Sequence, residues 1–390
     1  MRKKIFISLF IATLIAMLSL GIINPILPLY AKSMNATGLE LGIIFSGFAL
    51  SRGIFAPIIG QYSDRHGRKK LIVAGLILLI ILSVCYVLAD SPLALTVIRI
   101  AEGFSTVLIT PVAQSYVGDI TPVGKEGKYM NLFFMSFFAG QASGPYLGGY
   151  LTDRYNISIP FYVMGALSLI ALIFILFLVP ESQAVKNRNT KKQPVLKSLI
   201  PVFKDKPMIG LMAYFSSRGF YRWGFNTFFP ILAVKAASLS TTNIGIILSV
   251  YMLSGSVIQY PFGLAADKFP KRKIAFIFTG GIISALSMCI IAWFNTLSMF
   301  IILTMVMGIF SSISRASGIA IRTERGRIYG MGATTGAFTT ALSLGQVVGP
   351  VAIGLIVDAY SIETAFLIAG IIGLLGTIVA VVFLKVKTDY

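Results

Sequence analysis

Long runs of apolar, almost uncharged residues recur along nearly the whole chain, and each is about as long as a bilayer is thick. A helix rises about 1.5 Å per residue, so about 20 such residues cross a hydrocarbon core of about 30 Å. Twelve runs meet this length: 5–30, 41–62, 71–89, 92–117, 129–151 and 157–179, then 208–234, 244–266, 274–295, 297–314, 328–357 and 364–384. Charged residues make up 12% of the 390. A soluble domain carries roughly 25%, so this composition cannot build a water-facing surface. The expected fold is an all-α membrane protein of twelve transmembrane helices.

The formal net charge of +19 would, in a soluble chain, suggest nucleic acid. Here the basic residues are spaced between apolar runs and form no polar, aromatic-interleaved surface, so no nucleic-acid partner is expected. With both termini cytoplasmic, 26 of the lysines and arginines fall in inside segments, and only Lys32, Arg154 and Lys235 fall outside. That asymmetry is the positive-inside signature of a multi-pass protein of the cell (inner) membrane. Met1-Arg2-Lys3-Lys4 precedes an apolar run too long for a signal peptide, which reads as the first span. Cys85 and Cys289 lie in separate apolar runs without metal or redox spacing and are expected to pack in the interior. No metal or cofactor is expected.

Residues 181–206 form the one long polar stretch, and its basic side chains suit a cytoplasmic linker, flexible or lying on the surface. It separates six spans (1–180) from six (207–390). The halves echo each other. Gly60-Gln61-Tyr62-Ser63-Asp64-Arg65 ends the second span and Gly263-Leu264-Ala265-Ala266-Asp267-Lys268 ends the eighth, an offset of 203. Gly140-x-x-x-Gly144-Pro145 recurs as Gly345-x-x-x-Gly349-Pro350, an offset of 205. Two pseudo-symmetric six-helix bundles are therefore expected, with a site near the midplane between them that rocking exposes alternately.

The stretch Gly60-Gln61-Tyr62-Ser63-Asp64-Arg65-His66-Gly67-Arg68-Lys69 resembles the loop 2–3 signature of the major facilitator superfamily, with Tyr62 at its usual leucine. The resemblance covers the whole chain. It implies a cytoplasmic gating latch at Gly60, Asp64, Arg65, Gly67 and Arg68, and a weaker second latch at Asp267, where Pro270 replaces the expected glycine. Arg99-Ile100-Ala101-Glu102-Gly103 is similar to the family's helix 4 pattern. Gly140, Gly144, Pro145, Gly148 and Gly149 match the helix 5 pattern of its antiporters, in which small residues allow close packing and Gly-Pro introduces a kink. The resemblance points to the twelve-helix drug:proton antiporter branch.

Charges inside a span cost about 2.5–3.5 kcal/mol each on insertion scales and are functional candidates by default. Arg52, Arg99, Arg218 and Arg222 fall within the runs, and Glu102 is the one carboxylate deep in a run. Arg218 and Arg222, four apart, share a helix face. Either they receive an anionic or acceptor-rich substrate, or they anchor the helix by pairing or snorkelling. In the family, helices 1, 4, 7 and 10 line the central cavity, which makes Asn24, Gln114, Tyr221 and Asn226 further polar candidates. Arg99 and Glu102 are the candidates for proton coupling, because an arginine beside a carboxylate favours its charged form and substrate movement can change that. The alternative is a structural pair. Asn24-Pro25 and Pro28 in helix 1, and Pro230 in helix 7, are expected to interrupt corresponding spans.

There is no G-x-x-x-x-G-K-[ST], H-E-x-x-H or G-x-S-x-G, so neither a nucleotide-driven pump nor an enzyme is expected. The leading expectation is a proton-coupled exporter of small organic compounds, a lipid-embedded monomer. The alternatives are a symporter importing an organic anion or sugar, and a transporter-like sensor or channel.

Overall fold

The computed structural model describes residues 2–122, 125–181 and 195–385. Their helices are α1 (Arg2–Ile22), α2 (Leu27–Ser33), α3 (Gly38–His66), α4 (Lys69–Leu88), α5 (Pro92–Ile120), α6 (Glu126–Arg154) and α7 (Ile159–Leu178). There follow α8 (Val195–Lys204), α9 (Lys206–Ala237), α10 (Thr241–Lys268), α11 (Lys273–Ile290), α12 (Leu297–Tyr329), α13 (Met331–Ala359) and α14 (Ile362–Lys385). Short 3-10 turns at Pro270–Arg272 and Ile291–Trp293 flank α11, and no strand occurs among the described residues. Every predicted run lies mainly on helix, with 5–30 divided between α1 and α2 and 328–357 starting at the end of α12. Among the described residues, ten of these are long and apolar enough to cross a membrane. The remaining two, α6 and α9, have 29 and 32 residues but carry more glycine and polar side chains.

Several boundaries differ from expectation. The run 297–314 stops short of Arg315, yet α12 continues to Tyr329 and breaks at Gly330, whose φ of 94° disfavours any side chain. Ile328 and Tyr329 therefore belong to α12, and Arg315 lies near the middle of a 33-residue helix. The first span is interrupted as expected, for α1 ends at Ile22 and α2 restarts at Leu27 with Pro28 in its first turn. The matching break at Pro230 is absent, because α9 runs through it. Proline removes one helical hydrogen bond, and here Phe228, Phe229, Leu232 and Ala233 around it are fully buried, so packing keeps the helix whole. Residues 182–194 of the expected linker lie outside the described residues, but its last part is α8, anchored by the fully buried Val202 against Met208 and Leu211. Cys289 is buried and Cys85 half-buried, and both are free.

The chain divides into two compact units. One comprises Met1–Ala36, Ile43–Arg188 and Leu239–Ser249; the other comprises Thr37–Gly42, Asn189–Ser238 and Val250–Tyr390. Within the first, α1 packs against α6 and α7, and α4 against α5 and α7. Within the second, α9 packs against α13 and α14, and α11 against α12 and α14. The same set of neighbours occurs twice, with α9 in the place of α1 and α12 in the place of α5.

The Gly-x-x-x-Gly-Pro repeat explains the tightest of these contacts. A Cβ at Gly140 would lie 2.2 Å from the Leu14 carbonyl oxygen, one at Gly144 2.5 Å from Gly21 Cα, and one at Gly148 2.1 Å from the Ile22 oxygen. Helices α1 and α6 therefore meet backbone to backbone. In the other unit, Gly345 and Gly349 seat α13 on α9, with a Cβ falling 1.9 Å from Ser216 O and 2.4 Å from Phe220 O. Pro145 and Pro350 sit inside continuous helices.

The repeat extends to the helix ends. Asp153, near the end of α6, accepts hydrogen bonds from the backbone N–H of Thr241 (3.1 Å) and Thr242 (2.7 Å) at the start of α10. Asp358 is its counterpart in the second half, at the same offset as the glycine repeat. It accepts from Gly38 (2.6 Å) and Leu39 (2.8 Å) at the start of α3. Each carboxylate meets the positive end of a helix dipole. Partial burial pushes the Asp153 carboxyl up, but hydrogen bonds from Thr242, Ser240 and Thr241 outweigh it and hold it below the ordinary carboxylate value. A depressed folded-state pKa stabilises above the unfolded value, and that stability is lost as pH falls through the folded one. The thermal stability of wild type in detergent should therefore fall below about pH 4, and Asp153→Asn should show a flatter acid dependence.

Candidate functional site

Three clusters of ionisable side chains emerge, each within one unit. The first surrounds the α3–α4 turn. Gly67, at φ 92°, makes the left-handed turn that leads into α4. Glu181 Oε1 caps that helix, accepting from the N–H of Arg68 (2.9 Å) and Lys69 (3.0 Å). Arg68 grips Asp119 at the end of α5 with both arms of its fork, Nε to Oδ2 at 2.6 Å and Nη2 to Oδ1 at 3.1 Å. A Cβ at Gly60 would meet nothing within 4 Å, so close helix approach is not what that glycine provides. The side chains of Asp64, Arg65 and Asp267 lie outside the described residues.

Sequence reasoning missed Asp119 and Glu181. A signal for Asp119 existed, because the offset of the glycine repeat carries Arg68 onto Lys273 and Asp119 onto Glu324. Lys273 and Glu324 form an ion pair of their own. Pro270 opens the 3-10 turn ahead of that lysine, so the second copy keeps an ion pair where its glycine is missing. The Arg68–Asp119 pair is partly open to solvent, with the Asp119 side chain 25% exposed. Asp119→Ala should accordingly lower stability by about 1–2 kcal/mol in detergent unfolding.

The second cluster is sealed inside the first unit. Arg99 and Glu102, one turn apart on α5, form an ion pair of 2.8 Å between Nη1 and Oε2. The hydroxyl of Tyr86 on α4 donates to the same Oε2. Glu102 is 0% and Arg99 4% exposed. The Arg99 guanidinium lies over the rings of Phe48 (4.4 Å) and Phe45 (5.0 Å), which also cover it from solvent. Glu102 Oε1 and Arg99 Nε are buried and have no hydrogen-bond partner among the described residues. Tyr86 carried no sequence signal, being one aromatic in an apolar run.

The third cluster lies in the second unit. Arg218 and Arg222 follow on one face of α9, as expected, with Asn226 a further step of four along. Arg315 of α12 stands at the same level. Tyr214 of α9 hydrogen-bonds Ser314, the residue before Arg315, which ties the two helices together at this level. The Arg222 guanidinium stands 6.0 Å from the Tyr251 ring. Tyr221 turns away into the packing, 2% exposed, with its hydroxyl 3.2 Å from Ser284 on α11. Asn24, in the α1–α2 turn, and Gln114, on α5, are half-buried in the first unit.

A broken first helix, buried charges and doubled glycine seams describe a multi-pass helical membrane protein. The chain matches the family described as the Major Facilitator Superfamily over residues 9–240 and again over 215–389, and it belongs to that family, whose members are transporters of small molecules and not enzymes. An uncharacterized MFS-type transporter of Methanocaldococcus jannaschii is 27% identical over 385 residues, 97% of this chain and 98% of that protein. Multidrug resistance protein 2 of Bacillus subtilis is 27% identical over 395 residues, covering 100% of this chain and 97% of its own length. Among solved structures, the nucleoside transporter NupG superposes with a TM-score of 0.81 at 15% identity, covering 98% of this chain and 100% of its own. At that identity the likeness concerns fold alone.

Proposed function

We propose that the protein is a proton-coupled antiporter that exports small organic compounds by alternating access, as a monomer in the cell (inner) membrane with both termini cytoplasmic. In this reading all twelve long helices cross the bilayer, as two related halves, 1–180 and 207–390, joined by 181–206. The observation that carries it is Glu102, a fully buried carboxyl with one oxygen shared by Arg99 and Tyr86 and the other without a hydrogen-bond partner among the described residues. A drug-resistance protein among the full-length relatives supports export, as does the glycine seam of Gly140, Gly144, Gly148 and Gly149. The cytoplasmic latch is assigned to Gly67 and Arg68 with Asp119 and Glu181.

The test is flux in proteoliposomes under an imposed pH gradient, using a panel of cationic, neutral and anionic fluorescent compounds. Substrate moving against the proton flow supports export. Movement with the protons makes the protein a symporter, and flux without saturation or counterflow makes it a channel.

A further inference from the structure

We infer that Arg218, Arg222 and Arg315 form a receptor for the oxyanion of the transported compound, so that the substrate class is small organic anions. The inference rests on the transport reading and adds the chemistry of the cargo. Two guanidiniums share one face of α9, and the third follows Ser314 of α12, whose hydroxyl meets that of Tyr214 one turn before Arg218 in the interior of the second unit. Guanidiniums stay charged at neutral pH, so their mutual repulsion cannot be relieved by losing a proton. It has to be met by negative charge.

The unit itself does not supply that charge among its described residues. Asp205 pairs with Arg325 and caps α9 through Met208 N. Glu324 holds Lys273, and Glu363 holds Lys235. Asp358 is taken up by the N–H groups of Gly38 and Leu39, and Glu40 by Thr37. Meanwhile Arg218 is 4% exposed, and its Nη1 is buried with no hydrogen-bond partner among the described residues. A buried donor left unmet is costly, and here it points to a ligand that completes it. Arg222 and Arg315 are half-buried, so they remain reachable.

The framework does not require these charges. The position matching Arg315 in the first half is Thr110, and α1, which occupies in its unit the place of α9, has no ionisable side chain after Lys4. A carboxylate or phosphate oxygen pair fits a guanidinium fork, and Tyr251 beside Arg222 offers a ring face to an aromatic body.

The full chain in phosphatidylcholine nanodiscs provides the test, with 2-naphthoate as the probe and uncharged 2-naphthamide as its match. Naphthoate should bind about ten-fold or more tightly than the amide. Each of Arg218→Gln, Arg222→Gln and Arg315→Gln should weaken naphthoate about ten-fold while leaving the amide unchanged. Arg315→Lys, which keeps the charge without the fork, should recover part of the loss. If Arg218→Gln fails to fold, the two half-buried positions carry the test. Equal binding of acid and amide, or unchanged naphthoate affinity in Arg222→Gln and Arg315→Gln, overturns the receptor. So does collapse of naphthoate binding in phosphatidylglycerol nanodiscs, which would assign the arginines to a lipid headgroup. Naphthoate binding as expected, but without counterflow in liposomes, would keep the anion receptor and remove the carrier reading. Counterflow of ethidium that is indifferent to all three variants, without naphthoate binding, would do the reverse.

Discussion

Glu102→Ala is expected to destabilise the protein by about 3–5 kcal/mol, because it leaves Arg99 as an uncompensated charge in a closed interior. Arg99 has no second carboxylate among its partners, and its guanidinium is enclosed by Phe45 and Phe48. Removing both members should be far milder. Arg99→Leu with Glu102→Leu is expected to return to within about 1–2 kcal/mol of wild type, since a well-packed apolar pair often matches a buried ion pair. A double-mutant cycle in detergent, read by thermal unfolding, measures the coupling. The same proteins separate stability from function: the double variant should fold yet give no substrate movement driven by a pH gradient. Gradient-driven movement at the wild-type rate in that variant would remove Glu102 from the proton pathway.

Gly345→Leu should have the larger effect on folding yield. A Cβ there would lie 1.9 Å from the Ser216 carbonyl oxygen, and backbone cannot step aside as a side-chain tip can. Even alanine forces α13 off α9, with a cost of about 1–3 kcal/mol or more from overpacking, and leucine should leave little folded protein in the membrane. Gly60→Ala is the contrast. Nothing stands within 4 Å of its would-be Cβ, so stability should be unchanged or rise by up to about 1 kcal/mol, alanine being the better helix former. Equal losses at both positions would show that close contact is not what distinguishes these glycines, since helix propensity alone favours both substitutions.

Much of this architecture could be read from the chain. Each apolar run lies on a helix because about twenty consecutive apolar residues leave the backbone no other way to satisfy its hydrogen bonds in lipid. The glycine seams were legible because their spacing repeats. The break in the first span was visible at Asn24-Pro25, whereas the one expected at Pro230 fails, because hydropathy and proline position say nothing of the buried phenylalanines that hold α9 together. Arg315 was hidden for a related reason. A positive charge after an apolar run reads as a loop, and only the helix continuing to Tyr329 shows otherwise. Tyr86 belongs to the Glu102 cluster through the packing of α4 on α5, a contact that no local pattern encodes.

The ion pairs Arg68–Asp119 and Lys273–Glu324, one in each unit and at matching positions of the two halves, have a consequence for genetics. They belong to a set of duplicated positions, with the paired glycines and with Asp153 and Asp358, that join one helix to another, the Arg68–Asp119 pair within the latch proposed above. The Glu102 and Arg315 clusters have no duplicate: the positions that match Arg99 and Glu102 in the second half hold Thr304 and Met307. A random mutagenesis screen scored on protein abundance should thus return its hits in couples, one member in each half. One scored on transport at normal abundance should return, besides the proposed latch, solitary hits, and a map of which hits lack a twin would locate the substrate and coupling residues without any knowledge of the substrate.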